Sequence, residues 1–318
     1  MTTNIYADTP TNLEQAAETI RRGGLVAFPT DTVYGLGANV YDAKAVASIY
    51  AAKGRPSFDP LISHLAEIDF LKEYACTDER VIALAKHFWP GPLTFVLRRK
   101  DTNPSLDLVC SGLPNIAVRM PNHPLALKLI KAAGVPIAAP SANKFKSISP
   151  TTAQHVADSL GDKVDMILDG GACKIGVETT IIDLTTPEIV ILRAGGLSKE
   201  ELEAFTGEKV YISHGDPNKP SAPGQLLRHY APRMPMRINV AEEDVRTDEF
   251  FIGFGNVKNA QLNLSPSGSL NEAAANLFAY MRIAETHGEY KGIAISPIPE
   301  SGLGLAINDR IRRASYKA

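Results

Sequence analysis

The stretch AKAVASIYAAKGRP, residues 43–56, combines a helical pattern with two cations at its end. Small and apolar residues run from Ala43 to Ala52, and Gly54 is a typical helix terminator. We therefore expect Lys53 and Arg55 to leave the helix on an exposed, turning backbone. A lysine supplies a point charge and an arginine a fixed fork of donors, a combination that suits phosphate and carboxylate groups.

A second polar cluster follows VPIAAP, residues 135–140, which predicts a short buried strand. Ser141 and Asn143 come next, so the strand would deliver both side chains to its carboxyl end. Either cluster alone is as typical of solvated loop residues as of a binding site. Together, the two clusters predict an anion site.

Helix and strand patterns alternate closely on both sides of these clusters. They predict an α/β (or α+β) domain, a twisted sheet with flanking helices. The predicted strands are 25–28, 61–65, 93–98, 116–120, 137–139, 166–168, 179–184 and 189–193. The predicted helices are 13–22, 43–52, 67–74, 78–87, 123–133, 151–160 and one that ends near residue 205.

The chain has 318 residues, more than one core usually supports, and its composition changes after the first two-thirds. Residues 207–235 are rich in proline, glycine and polar types, which predicts a linker without regular structure. Beyond it, strand patterns occupy 236–240, 250–254 and 292–295, and helical patterns occupy 270–285 and a stretch ending at residue 313. We expect a catalytic domain at 1–206, the linker at 207–235 and a small α/β domain at 236–318.

The charge balance gives no general attraction to nucleic acid or to membranes, because the formal net charge is −2. The content of 44% hydrophobic and 21% charged residues is that of an ordinary soluble globular protein. There is no signal-peptide pattern and no apolar run long enough to span a bilayer. Cys76, Cys110 and Cys173 are scattered without metal-site spacing. We expect a reduced, cytoplasmic protein without a structural metal site.

Other polar residues lie at predicted strand ends, where α/β proteins bind ligands. The loop Pro29–Gly37 carries hydroxyls after a buried strand, but a tight turn with local side-chain bonds is an equally good interpretation. His64 lies on a predicted strand and is more typical of a core or edge histidine than of a catalytic base. Asn115, Arg119 and Arg193 lie near strand ends, and arginines that converge on one sheet edge would form a nucleotide pocket.

Two further segments carry candidate anion contacts. Ser149 precedes a predicted helix whose free N–H groups favour anions, although an ordinary helix N-cap is the more common role of such a serine. The linker contains Arg228, His229 and Tyr230, which a merely flexible tether would lack, so we expect this segment to dock at the anion site. The sequence has neither a P-loop motif nor a complete dinucleotide fingerprint.

These motifs together resemble the threonylcarbamoyl-AMP synthases of the YrdC family, in the long form with a linker and a carboxyl-terminal domain. The resemblance covers nearly the whole chain. It rests on 28–37, Lys53-x-Arg55-Pro56 with Pro60-Leu61, 89–94, 117–121, 139–143, 179–183, 191–195, the linker elements Pro-Gly and Arg-His-Tyr-Ala-Pro, 302–304 and 308–310. It implies a YrdC-like twisted-sheet domain and a small C-terminal Rossmann-like α/β domain.

The implied activity is that of an L-threonylcarbamoyladenylate synthase, a nucleotidyltransferase of tRNA threonylcarbamoyladenosine modification. L-Threonine, bicarbonate and ATP would give threonylcarbamoyl-AMP and pyrophosphate, and a tRNA threonylcarbamoyl transferase complex would receive the product. Contact with tRNA is allowed but not required, and no membrane is involved. The resemblance places Thr32, Arg55, His64, Arg119, the Ala139 backbone and Thr179 around threonine. It places Lys53, Asp59, Asn115, Ser141, Asn143, Ser149, Arg193, Arg228, His229 and Tyr230 around ATP.

The chain departs from the family pattern at three positions: Asp59 stands where asparagine is expected, Asn115 where threonine is common and Thr179 where serine is common. An aspartate near phosphates is repulsive unless it meets a metal ion. The implied chemistry needs no side-chain nucleophile, because a threonine carbamate can itself attack the α-phosphate. We expect Lys53 and Arg55, as catalytic residues, and Mg²⁺ bound with ATP to carry most of the catalysis.

Two alternatives remain at this point. A double-stranded RNA-binding module would use a basic concave surface, which the net charge does not favour. A carbamoyl adenylate made for a different acceptor is a second alternative, but such maturation enzymes usually carry zinc-finger cysteines and an acylphosphatase unit, which this chain lacks. We also expect residues 207–235 to close over the site as a lid, because excluding water would protect a labile carbamate.

Overall fold

The computed structural model describes residues 4–100, 106–213 and 229–316. Within these ranges the chain forms a large mixed sheet with flanking helices and a second, smaller parallel sheet. The predicted fold class, a twisted-sheet α/β unit followed by a small α/β unit, is therefore confirmed. None of the described helices is long and apolar enough to cross a membrane.

The first sheet is built from short strands that alternate with helices along the chain. Its strands are β1 (Ile5–Ala7), β2 (Val26–Phe28), β3 (Gly35–Asn39), β4 (Ile62–His64), β5 (Leu93–Arg98), β6 (Asn115–Arg119), β7 (Ile137–Ala138), β8 (Met166–Asp169), β9 (Thr180–Asp183), β10 (Val190–Arg193) and β11 (Tyr211–Ile212). Their order is β1-β8-β2-β3-β7-β4-β6-β5-β9-β10-β11. The sheet is mixed: it contains parallel pairs such as β4 with β6 and antiparallel pairs such as β5 with β6.

Helices cover both faces of this sheet. They are α1 (Pro10–Arg21), α2 (Ala43–Lys53), α3 (Leu71–Tyr74), α4 (Glu79–Phe88), α5 (Leu106–Val109), α6 (Pro124–Ala133), α7 (Ala153–Leu160) and α8 (Lys199–Thr206), with 3₁₀ turns at Ile68–Phe70 and Gly161–Lys163. Ile20 of α1 and Leu129 of α6 share one core with Phe28. Helix α2 ends at Gly54, whose φ of 65° is left-handed backbone that glycine adopts without strain, as the sequence predicts.

The second unit is smaller and packs against the loops of the first. Its strands are β12 (Met236–Arg237), β13 (Glu249–Gly253), β14 (Leu262–Asn263) and β15 (Gly292–Ile295), in the order β12-β15-β13-β14, and its helices are α9 (Leu270–Thr286) and α10 (Gly304–Ser315), with a 3₁₀ turn at Glu242–Asp244. The core of this unit, which includes Phe278 and Ile307, continues into Val33, Ile148 and Val177 of the first unit. The second unit therefore supports loops of the large sheet directly.

Two expectations about regular structure are wrong. The loop predicted at 29–37 is shorter, because β3 begins at Gly35 and pairs antiparallel with β2. Glycine has a low strand propensity and so hid this strand, although here it lets neighbouring strands approach closely. The linker range also contains regular structure, since β11 pairs with β10 ahead of Pro217, the first of its prolines. Residues 214–228 of that range lie outside the described residues.

Candidate active site

Several strand ends of the large sheet meet at one cavity, whose lining residues are mostly buried. The loop after β2, the last residues of β4, β6 and β10, the segment after β7 and the residues before β9 all contribute to it. The lining residues are Thr30, Thr32, Val33, Gly35, Arg55, Ile62, His64, Arg119, Ala139, Pro140, Ser141, Glu178, Thr179, Arg193, His229 and Tyr230. The cavity thus lies at strand ends, where the sequence predicted a ligand site.

Most of the residues singled out from the sequence are brought together here. The wall includes the residues expected around threonine: Thr32, Arg55, His64, Arg119, Ala139 and Thr179. Of the residues expected around ATP, it includes Ser141, Arg193, His229 and Tyr230. Lys53, Asp59, Asn115, Asn143 and Ser149 lie outside this wall, and Arg228 lies outside the described residues.

Arg119, at the end of β6, is fixed in the wall by two residues of the loop after β2. Its Nη1 donates a hydrogen bond to Thr32 Oγ1 at 3.0 Å, and its guanidinium group forms a buried ion pair with Asp31. The same loop is a tight turn, because the backbone N–H groups of Thr32 and Val33 donate to Thr30 Oγ1 at 3.2 Å. The loop is therefore a locally bonded turn, and two of its hydroxyl residues, Thr30 and Thr32, also line the cavity.

Lys53 and Arg55 are buried, 4% and 7% exposed, so the expectation of an exposed turn is wrong. Both side chains have hydrogen-bond or ion-pair partners outside the helix, and the helical pattern of the sequence does not predict these partners. Arg55 Nη2 lies 2.8 Å from Asp59 Oδ1 and also donates to the Pro60 carbonyl oxygen at 2.8 Å. Burial raises the pKa of Asp59 and the Arg55 charge opposes that rise. Asp59 is therefore the counterion of Arg55 behind the cavity wall.

Lys53 connects the two polar clusters of the sequence. Its Nζ donates hydrogen bonds to the carbonyl oxygens of Ser141 and of Asn143, the latter at 2.6 Å. The Asn143 side chain in turn donates to the carbonyl oxygens of Lys144 and Ser147 at 2.8 and 2.9 Å. Burial, reinforced by the Arg55 charge, holds the pKa of Lys53 well below its ordinary value. Lys53 thus fixes the backbone that presents Ser141 to the cavity.

Arg193 and Thr179 form the opposite part of the wall, where β10 ends and β9 begins. Arg193 donates to the Thr179 carbonyl oxygen through Nε at 3.1 Å and to Thr179 Oγ1 through Nη2 at 2.9 Å. Thr179 Oγ1 also lies 2.8 Å from Thr94 Oγ1. Gly195 is required here, because a Cβ at this position would lie 2.2 Å from the Thr179 carbonyl carbon.

Two buried histidines line the cavity, and their surroundings favour the neutral imidazole. Burial, followed by the Arg119 charge, lowers the pKa of His64 to about 3. Burial and the charges of Arg55 and Lys53 hold the pKa of His229 well below its ordinary value. The His229 ring also packs against Tyr230 with a centroid distance of 4.0 Å.

Glu178 is a charged lining residue that was not among the site residues predicted from the sequence. Its Oε1 accepts a 2.5 Å hydrogen bond from Ser149 Oγ, and its Oε2 accepts one of 2.7 Å from Arg310 Nε on α10. Ser149 is not the N-cap of the following helix, because α7 begins at Ala153 after Thr152. The sequence signal for Glu178 was its position directly before the Thr179 motif. Its partners, Ser149 and Arg310, are distant in the chain, so the sequence does not predict these contacts.

Neither Asn115 nor the acidic residues form a metal site in the described part of the chain. Asn115 begins β6 opposite Arg98 and does not line the cavity. Across residues 4–100, 106–213 and 229–316, no cluster of three or more histidine, cysteine, aspartate or glutamate side chains could hold a metal ion. The carboxylates nearest the arginines, Asp31 and Asp59, are engaged by Arg119 and Arg55.

Comparison with known proteins matches both parts of the chain. The Sua5/YciO/YrdC family model, described as telomere recombination, matches residues 18–195, and the model described as threonylcarbamoyl-AMP synthase, C-terminal domain, matches residues 197–315. Threonylcarbamoyl-AMP synthase of Pyrococcus abyssi is 43% identical over 94% of this chain and 93% of its own length. That of Bacillus subtilis is 39% identical over 95% of this chain and 92% of its own length.

A solved structure supports the same relationship. The crystal structure of P. abyssi Sua5 complexed with L-threonine matches with a TM-score of 0.88 and 40% identity, covering 98% of this chain and 96% of that one. The family models, the relatives and this structure agree over nearly the full length of the chain. The chain therefore belongs to the Sua5/YciO/YrdC family of threonylcarbamoyl-AMP synthases, in the form that carries the C-terminal domain.

Proposed function

We propose that this chain is an L-threonylcarbamoyladenylate synthase, which joins L-threonine, bicarbonate and ATP into threonylcarbamoyl-AMP and pyrophosphate. The observation that carries the proposal is the cavity in which Arg55, Arg119 and Arg193 converge. Its small hydroxyl and cationic groups suit an amino acid carboxylate and a nucleotide phosphate. A double-stranded RNA-binding function is not favoured, because these arginines are buried and the relatives are named as synthases.

We propose that threonine occupies the part of the cavity lined by Thr32, Arg55, His64, Arg119, the Ala139 backbone and Thr179. The guanidinium groups of Arg55 and Arg119 offer forked donors for its carboxylate, and the hydroxyl groups offer partners for its side chain. The neutral His64 imidazole adds a polar group without adding charge. The complex of P. abyssi Sua5 with L-threonine supports a threonine site in this fold.

We place ATP beside threonine, against Ser141, Arg193, His229 and Tyr230 in the wall. Lys53 and Asn143 lie behind this wall, where Lys53 holds the backbone of Ser141 through hydrogen bonds to the Ser141 and Asn143 carbonyl oxygens. Asp59 balances Arg55, and Ser149 acts through Glu178. Asn115 is kept near ATP on the family resemblance, because it does not line the cavity. Arg228 is retained in the proposal on the family resemblance alone.

The proposed reaction needs positioning and charge neutralisation. The threonine amine loses a proton and bonds to the carbon of bicarbonate, and water leaves to give the carbamate. A carbamate oxygen then bonds to the α-phosphorus of ATP while the bond to the bridging oxygen breaks and pyrophosphate departs. The arginines stabilise the negative charge that develops on the phosphates, and the buried wall excludes the water that would hydrolyse the carbamate.

We propose that Mg²⁺ enters as the ATP complex. Glu178 is the carboxylate that lines the cavity, and Arg310 and Ser149 already engage its two oxygens. Such a donor set fits a metal ion held mainly by phosphates and water, which is common for Mg²⁺. We retain the transferase complex as the acceptor of the product, tRNA contact as allowed but not required, and the cytoplasm as the compartment.

We also retain the division into units at 1–206, 207–235 and 236–318. Of the middle segment, His229 and Tyr230 belong to the described residues, and both line the cavity. Their burial supports a part of this segment in the site wall rather than in a free tether.

The substrate requirement tests the proposed function. The full-length protein is incubated with MgATP, L-threonine and bicarbonate, and pyrophosphate and threonylcarbamoyl-AMP are measured. We expect both products only when all substrates are present. A Ser141→Ala/Asn143→Ala variant should lose ATP affinity while it still binds threonine without ATP. Pyrophosphate release that is unchanged without threonine or bicarbonate would contradict the proposal, and equal loss of both ligands in the variant would contradict the assignment of these two residues to ATP.

A further inference from the structure

We propose that Arg310, in the second unit, is a positioning residue of the synthase site that acts through Glu178 and Tyr230. The proposal rests on the proposed function of the cavity and adds a role for the second unit in the reaction. Arg310 does not line the cavity, but two residues that do line it are in contact with its guanidinium group.

The contact with Glu178 joins the two units through a buried ion pair. Arg310 is 0% exposed, and its Nε lies 2.7 Å from Glu178 Oε2, although 132 residues separate the two in the chain. The other oxygen of Glu178 accepts the hydroxyl group of Ser149 at 2.5 Å. Glu178 therefore has both oxygens fixed, and its charge is balanced, at the point where the wall continues into Thr179.

The contact with Tyr230 holds a second wall residue. The guanidinium carbon of Arg310 lies 5.1 Å from the Tyr230 ring centroid, within the range of a cation–π interaction. Tyr230 has a φ of 59°, a left-handed backbone that is unfavourable for a tyrosine and persists only where surrounding contacts hold it. One helical turn after Arg310, the Arg313 carbonyl oxygen accepts the backbone N–H of His229 at 3.3 Å. Helix α10 therefore supports both His229 and Tyr230.

Stability alone does not account for this arrangement. Burying an ion pair costs desolvation that apolar side chains of similar volume would avoid, so such pairs are weak contributors to folding free energy. Within the described part of the chain, Arg310 Nη2 also has no hydrogen-bond acceptor, which is unfavourable for a buried donor. What the pair does provide is a fixed position and a balanced charge for Glu178 beside the proposed phosphate site.

The test compares Arg310→Gln with Glu178→Gln/Arg310→Gln and with Arg312→Gln, a control on the same helix whose ion pair with Glu300 is exposed. We expect Arg310→Gln to lower kcat/KM for ATP by about tenfold or more, because small misplacements of a site wall are costly. Threonine affinity measured without ATP should stay within about twofold of the parent value. Arg312→Gln should behave like the parent.

The double variant separates positioning from a loss of packing. In Arg310→Gln the Glu178 carboxylate loses its ion-pair partner, although the Arg193 charge still acts on it. Its poorly balanced negative charge should then repel the phosphates. The double variant removes this charge, so it should recover part of the kcat/KM for ATP that Arg310→Gln loses, whereas a loss of packing alone would not be recovered. The double variant should still fall below the parent, so it keeps the proposal testable if Arg310→Gln does not fold.

Three outcomes would overturn the positioning role: parent-like kcat/KM for ATP in either Arg310 variant, equal losses for ATP and threonine, or no recovery of kcat/KM for ATP in the double variant. Failure of the proposed function would look different. In that case the parent protein itself would form no threonylcarbamoyl-AMP.

Discussion

Lys53 and Asn143 are 90 residues apart in the chain, yet the Lys53 ammonium donates a 2.6 Å hydrogen bond to the Asn143 carbonyl oxygen. A second bond reaches the Ser141 carbonyl oxygen. A cation at the end of α2 thereby fixes the loop after β7. The two polar clusters that stand apart in the sequence form one structural unit at the cavity.

Replacing Lys53 by methionine should therefore damage the ATP side of the site. The change keeps most of the length of the side chain but removes both hydrogen bonds of the ammonium group. Among the described residues, the Asn143 carbonyl oxygen then has no donor, at a cost of about 1–3 kcal/mol, while the Ser141 carbonyl oxygen keeps the Asn143 N–H. We expect a higher KM for ATP and a lower kcat. Lys44→Met, at the exposed start of the same helix, is the control. Steady-state kinetics that do not distinguish Lys53→Met from Lys44→Met would contradict this role.

Arg55 is expected to bind the threonine carboxylate, but Arg55→Ala alone would leave Asp59 buried without its cation. Breaking such a pair costs about 3–5 kcal/mol of stability, so the informative comparison is Arg55→Ala/Asp59→Asn with Asp59→Asn. We expect the double variant to bind threonine more weakly by about 1.5–3 kcal/mol, the value of a hydrogen bond to a charged group. Calorimetry provides the measurement. Equal affinities in the two variants would remove Arg55 from the threonine site.

His64 should make the protein less stable as the pH falls. Its pKa is lowered from 6.5 to about 3 by burial, so between these values the unfolded chain binds a proton that the folded chain excludes. The contribution of His64 is fully present above pH 6.5 and is lost on acidification, by up to about 1.4 kcal/mol per pH unit. Denaturant unfolding of the parent should therefore depend more steeply on pH than that of His64→Gln. Parallel profiles would contradict the assignment, and exposed His87→Gln is the control.

Gly195→Ala should displace Thr179. The new Cβ would lie 2.2 Å from the Thr179 carbonyl carbon and 2.3 Å from its oxygen, and these backbone atoms cannot turn aside as a flexible side chain would. We expect threonine affinity to fall by about tenfold or more, because Thr179 lines the cavity. Gly288→Ala meets no atom within 4 Å and is the matched control. Binding of threonine by Gly195→Ala at parent affinity would show that the wall tolerates the shift.

The sequence predicted the elements whose apolar residues form continuous runs. Strands 93–98 and 292–295 have the expected bounds, because a buried strand appears in the sequence as a short run of mostly apolar residues. Strand β3 was missed because two of its residues are glycine, and β11 because it is very short. The local pattern of apolar residues predicts a strand whose own residues form a continuous buried run. It does not predict a strand that forms only because it pairs with neighbouring strands.

The sequence predicted many of the residues that line the candidate site but not the contacts between them. Motif resemblance identified Arg55, Arg119 and Arg193, whereas the helix-end pattern at Gly54 wrongly predicted an exposed Arg55. The residues that pair with these side chains come from other segments, and the hydrophobic periodicity of a sequence does not predict such pairs. The link from Glu178 to Arg310 joins residues 132 positions apart and emerges only from the fold.

The central claim is that the cavity joins a threonine carbamate to the α-phosphate of ATP, and labelled bicarbonate tests it most directly. The full-length protein is incubated with ¹⁸O-bicarbonate, L-threonine and MgATP, and the products are analysed by mass spectrometry. We expect threonylcarbamoyl-AMP whose carbonyl oxygen and bridging oxygen to phosphorus both carry the label, with unlabelled pyrophosphate. Formation of ADP and labelled inorganic phosphate, or of AMP without a carbamoyl product, would contradict the account.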